Sequence, residues 1–149
     1  MSLYYDVLDI INQWKPKKKY SKESEYRDNL VEYIRQVFNQ VFKQEQETSL
    51  FFEPVKHRIK IEHKNIYADI DIDEEIGIEL KLNLRGKSEV DRLYGQISGY
   101  AKEYENIFII LCGDVKEDIY EEVLYRLKEI DRGWGTILDD PKITVIKKG

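Results

Sequence analysis

In the run ADIDIDEEIGIELKLN, from Ala68 to Asn83, acidic residues alternate with isoleucine and leucine, and a lone lysine follows Glu79 by two positions. Successive side chains of a β-strand point to opposite faces. Ile70 and Ile72 then share one face, and Asp69 and Asp71 the other. On a return strand Ile76, Ile78, Leu80 and Leu82 form the apolar face, opposite Glu79, Lys81 and Asn83. A turn centred on Glu74 sets Asp69 across from Glu79, with Cβ atoms roughly 5 Å apart. Two carboxylates that close repel unless water screens them or a cation sits between them. Carboxylate oxygens, with a backbone carbonyl and waters, suit Mg2+ or Mn2+, and such an ion polarises a phosphodiester. The ammonium of Lys81, projecting beside the pair, can orient an attacking water or stabilise charge growing on phosphate oxygens. Asp71 is the rival for the ligand role, but its cross-strand neighbour is Gly77, so Asp69 ranks first. Asp73 reads as a turn residue and Glu74 and Glu75 as loop solvation. Taken alone, the pattern D-x9-E-x-K also describes an amphipathic surface strand.

The elements that must position these residues follow from periodicity. YYDVLDIINQW, Tyr4 to Trp14, has apolar residues at helical spacing. Pro16 and its lysines form a linker to a long helix that Ser21 or Ser24 can cap, running to about Gln44. Its stripe is Tyr26, Leu30, Ile34, Val37 and Val41. SLFFEPV and HRIKIEH form a first extended region, with Pro54 marking a break or edge. The acidic run makes a hairpin. Ser88 can cap a helix to about Tyr104, with a core stripe of Val90, Leu93, Ile97, Ala101 and Tyr104. NIFIILCG reads as a strand covered on both faces. DVKE, Asp114 to Glu117, fits a capping box opening a helix that ends near Asp131. KITVIKK closes as a strand. This order predicts an α/β fold, a mixed central sheet flanked by helices.

In RLYGQISGYAKEY, Gln96 and Tyr100 are four apart and share one side of the helix, which Arg92 extends by a turn. Glu25 stands at the start of the first long helix, where an acidic residue also favours the helix dipole. A helical Glu, then Asp and E-x-K on a hairpin, then Q-x-x-x-Y on the following helix resembles the PD-(D/E)XK nuclease superfamily. The likeness spans roughly Ser24 to Gly113 and is nearest to archaeal and phage members, including resolvase-like and exonuclease-like groups. Ala68 stands where the motif has its proline. The resemblance implies a restriction-endonuclease-like core of order α-β-β-β-α-β. It implies that Asp69 and Glu79 ligate Mg2+ with the carbonyl of Leu80, and that Glu25 completes the site directly or through water. Lys81 would position the nucleophilic water, Gln96 would orient the lysine or contact a phosphate, and Tyr100 would support it. Phosphodiester hydrolysis would leave a 5′-phosphate and a 3′-hydroxyl.

Composition bounds these expectations. A chain of 149 residues with 42% hydrophobic and 36% charged residues is long enough for one domain with a real core. An N-terminal helical extension would cover 3–20, the core about 21–113, and a C-terminal helix and strand 114–149. No apolar run approaches the roughly 20 residues of a membrane span. A single cysteine, Cys112, sits in an apolar run and points to a buried thiol and a cytoplasmic setting. Abundant Lys, Glu, Ile and Tyr suggest a thermophilic source. The net charge of −5 argues against coating nucleic acid by charge alone, but not against a metal-charged acidic site. Phosphate contacts are expected first from Arg85, Lys87 and Arg92, then from Lys15, Lys17, Lys18 and Lys19 and from Lys56 to Lys60. His57 and His63 lack ligand spacing for zinc. The expected partner is nucleic acid, foremost DNA, and a homodimer would supply two sites for cutting two strands. The alternatives are a non-catalytic nucleic-acid- or protein-binding domain of the same fold, and an unrelated α/β structural domain with an acidic hairpin.

Overall fold

The computed structural model describes residues 2–48, 53–61, 67–133 and 140–149. Two helices, α1 (Leu3–Gln13) and α2 (Glu23–Thr48), precede strands β1 (Ile59–Ile61), β2 (Ile70–Ile72) and β3 (Ile76–Leu82). Helix α3 (Gly86–Tyr100), with a short 3-10 turn at Ala101–Glu103, leads to β4 (Asn106–Cys112), α4 (Glu117–Gly133) and β5 (Ile143–Lys148). The five strands form one mixed sheet in the order β1-β2-β3-β4-β5. The first two pairings are antiparallel and the last two parallel. The chain is therefore α/β, a five-stranded mixed sheet with helices on both faces.

The alternation in the sequence decides which helices cover which face. Ile70, Ile72, Ile76, Ile78 and Leu80 pack with Phe108, Ile110 and Cys112 under the buried stripes of α1 and α2. Ile107, Ile109 and Leu111 point the other way, against Val90, Leu93, Ile97 and Tyr100 of α3 and Val123, Leu127 and Ile130 of α4. All seven residues of β4 are buried, as a strand covered on both faces requires. Burial pushes the Cys112 thiol up to about 12, so it stays protonated and inert.

Several boundaries differ from those the sequence predicts. α2 begins at Glu23, so neither Ser21 nor Ser24 caps it. The Lys22 carbonyl accepts from the N–H groups of Glu25 and Tyr26 at 3.2 and 3.4 Å. α3 begins at Gly86 with Arg85 at its cap, and the Glu89 carboxylate bonds the Arg85 N–H, so the helix starts two residues before Ser88. Asp114 likewise falls short of α4, and its N–H donates instead to Asn83 Oδ1 at 2.8 Å. The stripe of α2 holds through Ile34 and fades until Val41 is 43% exposed, because the helix outruns the sheet beneath it. Among the described residues of the first extended region only Ile59–Ile61 pairs; residues 49–52, Glu62 and His63 lie outside the described residues.

The hairpin follows the expected register. Ile70 pairs with Ile78, Asp71 with Gly77 and Ile72 with Ile76. Asp73 (φ +56°) and Glu74 (φ +58°) reverse the chain in the left-handed region, with the Glu75 N–H on the Ile72 carbonyl at 3.0 Å. Such consecutive left-handed residues match the right-handed strand twist. Asp73 also accepts from the Arg58 N–H at 2.7 Å and bonds His57 Nδ1 at 2.6 Å, which ties that histidine to the hairpin turn.

Gly77 is fixed by its neighbours. A Cβ there would meet the ring of Tyr104 at 2.8 Å and Ala68 Cβ at 3.1 Å. Gly77→Ala is therefore expected to push the Tyr104 ring aside and cost about 1–3 kcal/mol. Urea denaturation measures this, and an unchanged midpoint would show that the ring yields freely.

Candidate active site

The start of β2, β3 and α3 meet over one face of the sheet. Asp69 lies just before β2, where one further step of the register sets it against Glu79. Its Oδ2 accepts the Leu80 N–H at 2.8 Å, taking the place of a carbonyl on a stretch of β3 that β2 no longer pairs. A residue's N–H and C=O leave an antiparallel strand on the same side, so the Leu80 carbonyl is directed to that side too.

Glu79 does not lie on a solvated face. It is 2% exposed, and α3 supplies the donors that a buried carboxylate requires. Gln96 Nε2 donates to its Oε1 at 2.8 Å, and the Tyr100 hydroxyl donates to its Oε2 at 2.6 Å. The four-residue spacing that puts Gln96 and Tyr100 on one side of α3 brings them to the two oxygens of one carboxylate. Lys81 Nζ stands 3.9 Å from Oε1, with its side chain 23% exposed. Loss of hydration, then the charge of Asp69, pushes the Glu79 carboxyl up to about 7, against the opposing pull of Tyr100, Lys81 and Gln96. Burial, followed by the charge of Glu79, raises the Tyr100 phenol, which stays a donor.

Asp71 is placed otherwise. It is 4% exposed, with Oδ1 on the Glu74 N–H at 2.9 Å and Oδ2 on the Tyr104 hydroxyl at 3.0 Å. Tyr104 Oη in turn accepts from the N–H groups of Tyr67 and Ala68 at 3.4 and 3.3 Å. Asp71 thus braces the hairpin, in a network that reading single strands does not reveal. Its sign in the sequence is the glycine opposite, which leaves room for an aromatic ring.

Glu25 is not gathered with the pair. α2 packs on the opposite face of the sheet, and the Glu25 carboxylate accepts from Ser21 Oγ at 3.2 Å. Arg85, Lys87 and Arg92 are exposed, the first two at the start of α3 and Arg92 one turn before Gln96. Lys15, Lys17, Lys18 and Lys19 are exposed in the linker, and Lys60 pairs with Glu74 at 3.2 Å.

Among the described residues, no group of three or more His, Cys, Asp or Glu side chains is assembled to hold a metal. Two carboxylates are nevertheless the usual protein share of a Mg2+ site, with water and substrate phosphates completing it. Asp69, Glu79 and the Leu80 carbonyl offer hard oxygens only. Burial raises the Glu79 carboxyl most, and the added repulsion from Asp69 is what a divalent cation would relieve. The donor set therefore fits Mg2+ or Mn2+.

Tyr67 escapes a motif-based search. It is 58% exposed, its ring centroid 6.4 Å from that of Tyr100. Alternation along the strand does not reveal it, because residues 67–69 form a bend before β2 and Ala68 packs on the α3 side.

Among the described residues no helix is long and apolar enough to cross a membrane. No family model, curated protein or solved structure matches the chain.

Proposed function

We propose that this chain is a divalent-metal-dependent nuclease of the PD-(D/E)XK kind, with a restriction-endonuclease-like core, hydrolysing phosphodiester bonds in nucleic acid, DNA foremost. The observation that carries this reading is the buried Glu79, held on both oxygens by Gln96 and Tyr100 with Lys81 3.9 Å away. A solvated acidic hairpin would need no such partners, whereas here α3 delivers a donor to each oxygen of one carboxylate. The order α2-β1-β2-β3-α3-β4 also agrees with the core of that superfamily.

Mg2+ held by Asp69, Glu79 and the Leu80 carbonyl would supply the charge that polarises the scissile phosphodiester. The chain's own groups do the rest. Gln96 and Tyr100 fix one orientation of Glu79, and the Leu80 N–H fixes Asp69. Such bonds keep ligand oxygens from turning away. Lys81 brings a positive charge to the rim of the site, where it holds the attacking water or stabilises the phosphate oxygens as charge grows on them. Arg85, Lys87 and Arg92 supply exposed positive charge for flanking phosphates.

Incubation with single-stranded, duplex and branched DNA tests this reading. Cleavage with Mg2+ or Mn2+, abolished by EDTA, is expected. Binding without cleavage in both metals would assign the domain to nucleic-acid binding instead.

A further inference from the structure

We infer that Tyr67 is a stacking platform for an unpaired base, so that the nucleic acid this site receives is single-stranded beside the bond to be cut. The location of the cut rests on the nuclease reading above; the binding of a strand does not.

Three observations carry the inference. Tyr67 is 58% exposed at the edge of the acidic site. Its ring contacts Tyr100, at 6.4 Å between centroids and 33° between planes, leaving the rest of it open to solvent. Tyr100 in turn donates to Glu79 at 2.6 Å, so an outside group lying on Tyr67 is within one aromatic side chain of the carboxylates.

The backbone beneath that ring is braced. The N–H groups of Tyr67 and Ala68 both donate to Tyr104 Oη, at 3.4 and 3.3 Å, and Tyr104 is tied to the buried Asp71 at 3.0 Å. A ring on a fixed backbone loses little freedom when a ligand covers it. Burial pushes the Tyr104 phenol up to about 12, so the brace persists through neutral pH.

The surroundings suit a single strand. Arg92, exposed, stands eight residues before Tyr100 on α3, about 12 Å along the axis at 1.5 Å per residue. The row Arg92, Gln96, Tyr100 therefore leads from a cation suited to phosphate, past the carboxylates, to the Tyr67 ring. Every base has a π-face to lay on such a ring, but in a duplex that face is covered by its neighbours. Among the described residues, Tyr67 meets the ring of Tyr100 and, through its N–H, the Tyr104 hydroxyl, and both of those tyrosines are already buried.

Fluorescence anisotropy with Ca2+ replacing Mg2+ tests the platform. The probes are a labelled single-stranded oligonucleotide and the duplex of the same sequence. The parent is expected to bind the single strand more tightly. Tyr67→Ala should weaken that binding about tenfold and Tyr67→Phe by less than about twofold, since the ring, not the hydroxyl, carries stacking. Duplex binding should not change. The inference is overturned if Tyr67→Ala binds the single strand like the parent, if duplex binds as tightly as single strand, or if neither binds. Should this pattern hold while Mg2+ and Mn2+ give no cleavage, the platform stands and the nuclease reading falls. Tyr67 is exposed, so loss of folding in Tyr67→Ala is not expected, and circular dichroism checks it.

Discussion

Lys81→Ala is expected to lower Mg2+-dependent cleavage about 10³-fold while leaving the fold intact. A single preorganised group that stabilises charge in a transition state is typically worth 10²–10³ in rate. Lys81 sits 3.9 Å from Glu79 Oε1 at the end of β3, partly exposed, so its truncation leaves no buried cavity. Its charge also opposes the rise of the Glu79 carboxyl. The variant should therefore hold a proton on Glu79 more tightly, and Mg2+ should compete less well near neutral pH. Calorimetric Mg2+ titration at pH 7 and pH 8.5 separates the two effects: metal affinity should recover at the higher pH, and cleavage should not. Lys81→Arg restores the charge with a different shape and is expected to recover only part of the rate. Cleavage by Lys81→Ala within threefold of the parent would remove the lysine from the chemistry.

Glu79→Gln is expected to abolish cleavage and, in EDTA at pH 8, to stabilise the protein by about 2 kcal/mol. The sign follows from the direction of the shift. The Glu79 carboxyl is raised from 4.5 to about 7 on folding, so between those values the folded state holds a proton that the unfolded chain has released. Stability falls as pH rises through that window. Below it both states are protonated. Above it both are ionised and the loss is complete, of order 3 kcal/mol at 1.36 kcal/mol per unit. The glutamine keeps shape without charge and escapes this loss. The gain is smaller than the full loss because the Tyr100 hydroxyl, which donates to Oε2 at 2.6 Å, must accept from the new amide or turn away. Urea denaturation in EDTA at pH 5, 6, 7 and 8 measures it. The parent should weaken across the series by more than the variant does. A variant less stable than the parent at pH 8 would show that ionised Glu79 is not held at a cost.

The hairpin was legible in the sequence and its surroundings less so. Alternation along Ile70 to Leu82 fixes both the faces and the register, because a one-residue slip would turn every isoleucine outward. All five residues of the stripe Val90, Leu93, Ile97, Ala101 and Tyr104 are buried, but α3 ends at Tyr100, so Ala101 lies in the 3-10 turn and Tyr104 follows it instead of closing the helix. Helix starts were not legible. Ser21, Ser88 and Asp114 have good capping side chains, yet the turns leading into α2, α3 and α4 decide where each helix begins, and local preference yields to them. Asp69 and Asp71 were distinguishable only in part. Gly77 opposite Asp71 was visible, but not the Tyr104 ring that fills its space, since that contact joins segments far apart in sequence. For Glu25 the sequence shows a helical position and nothing of which face of the sheet its helix covers.

The sheet order carries a further implication. β1, three residues long, occupies one edge, whereas Glu79 and Lys81 ride on β3, zipped along its whole length to the wholly buried β4. Fraying at the β1 rim can thus come and go in the native protein without disturbing the floor under the carboxylates, which opens only when the molecule as a whole gives way.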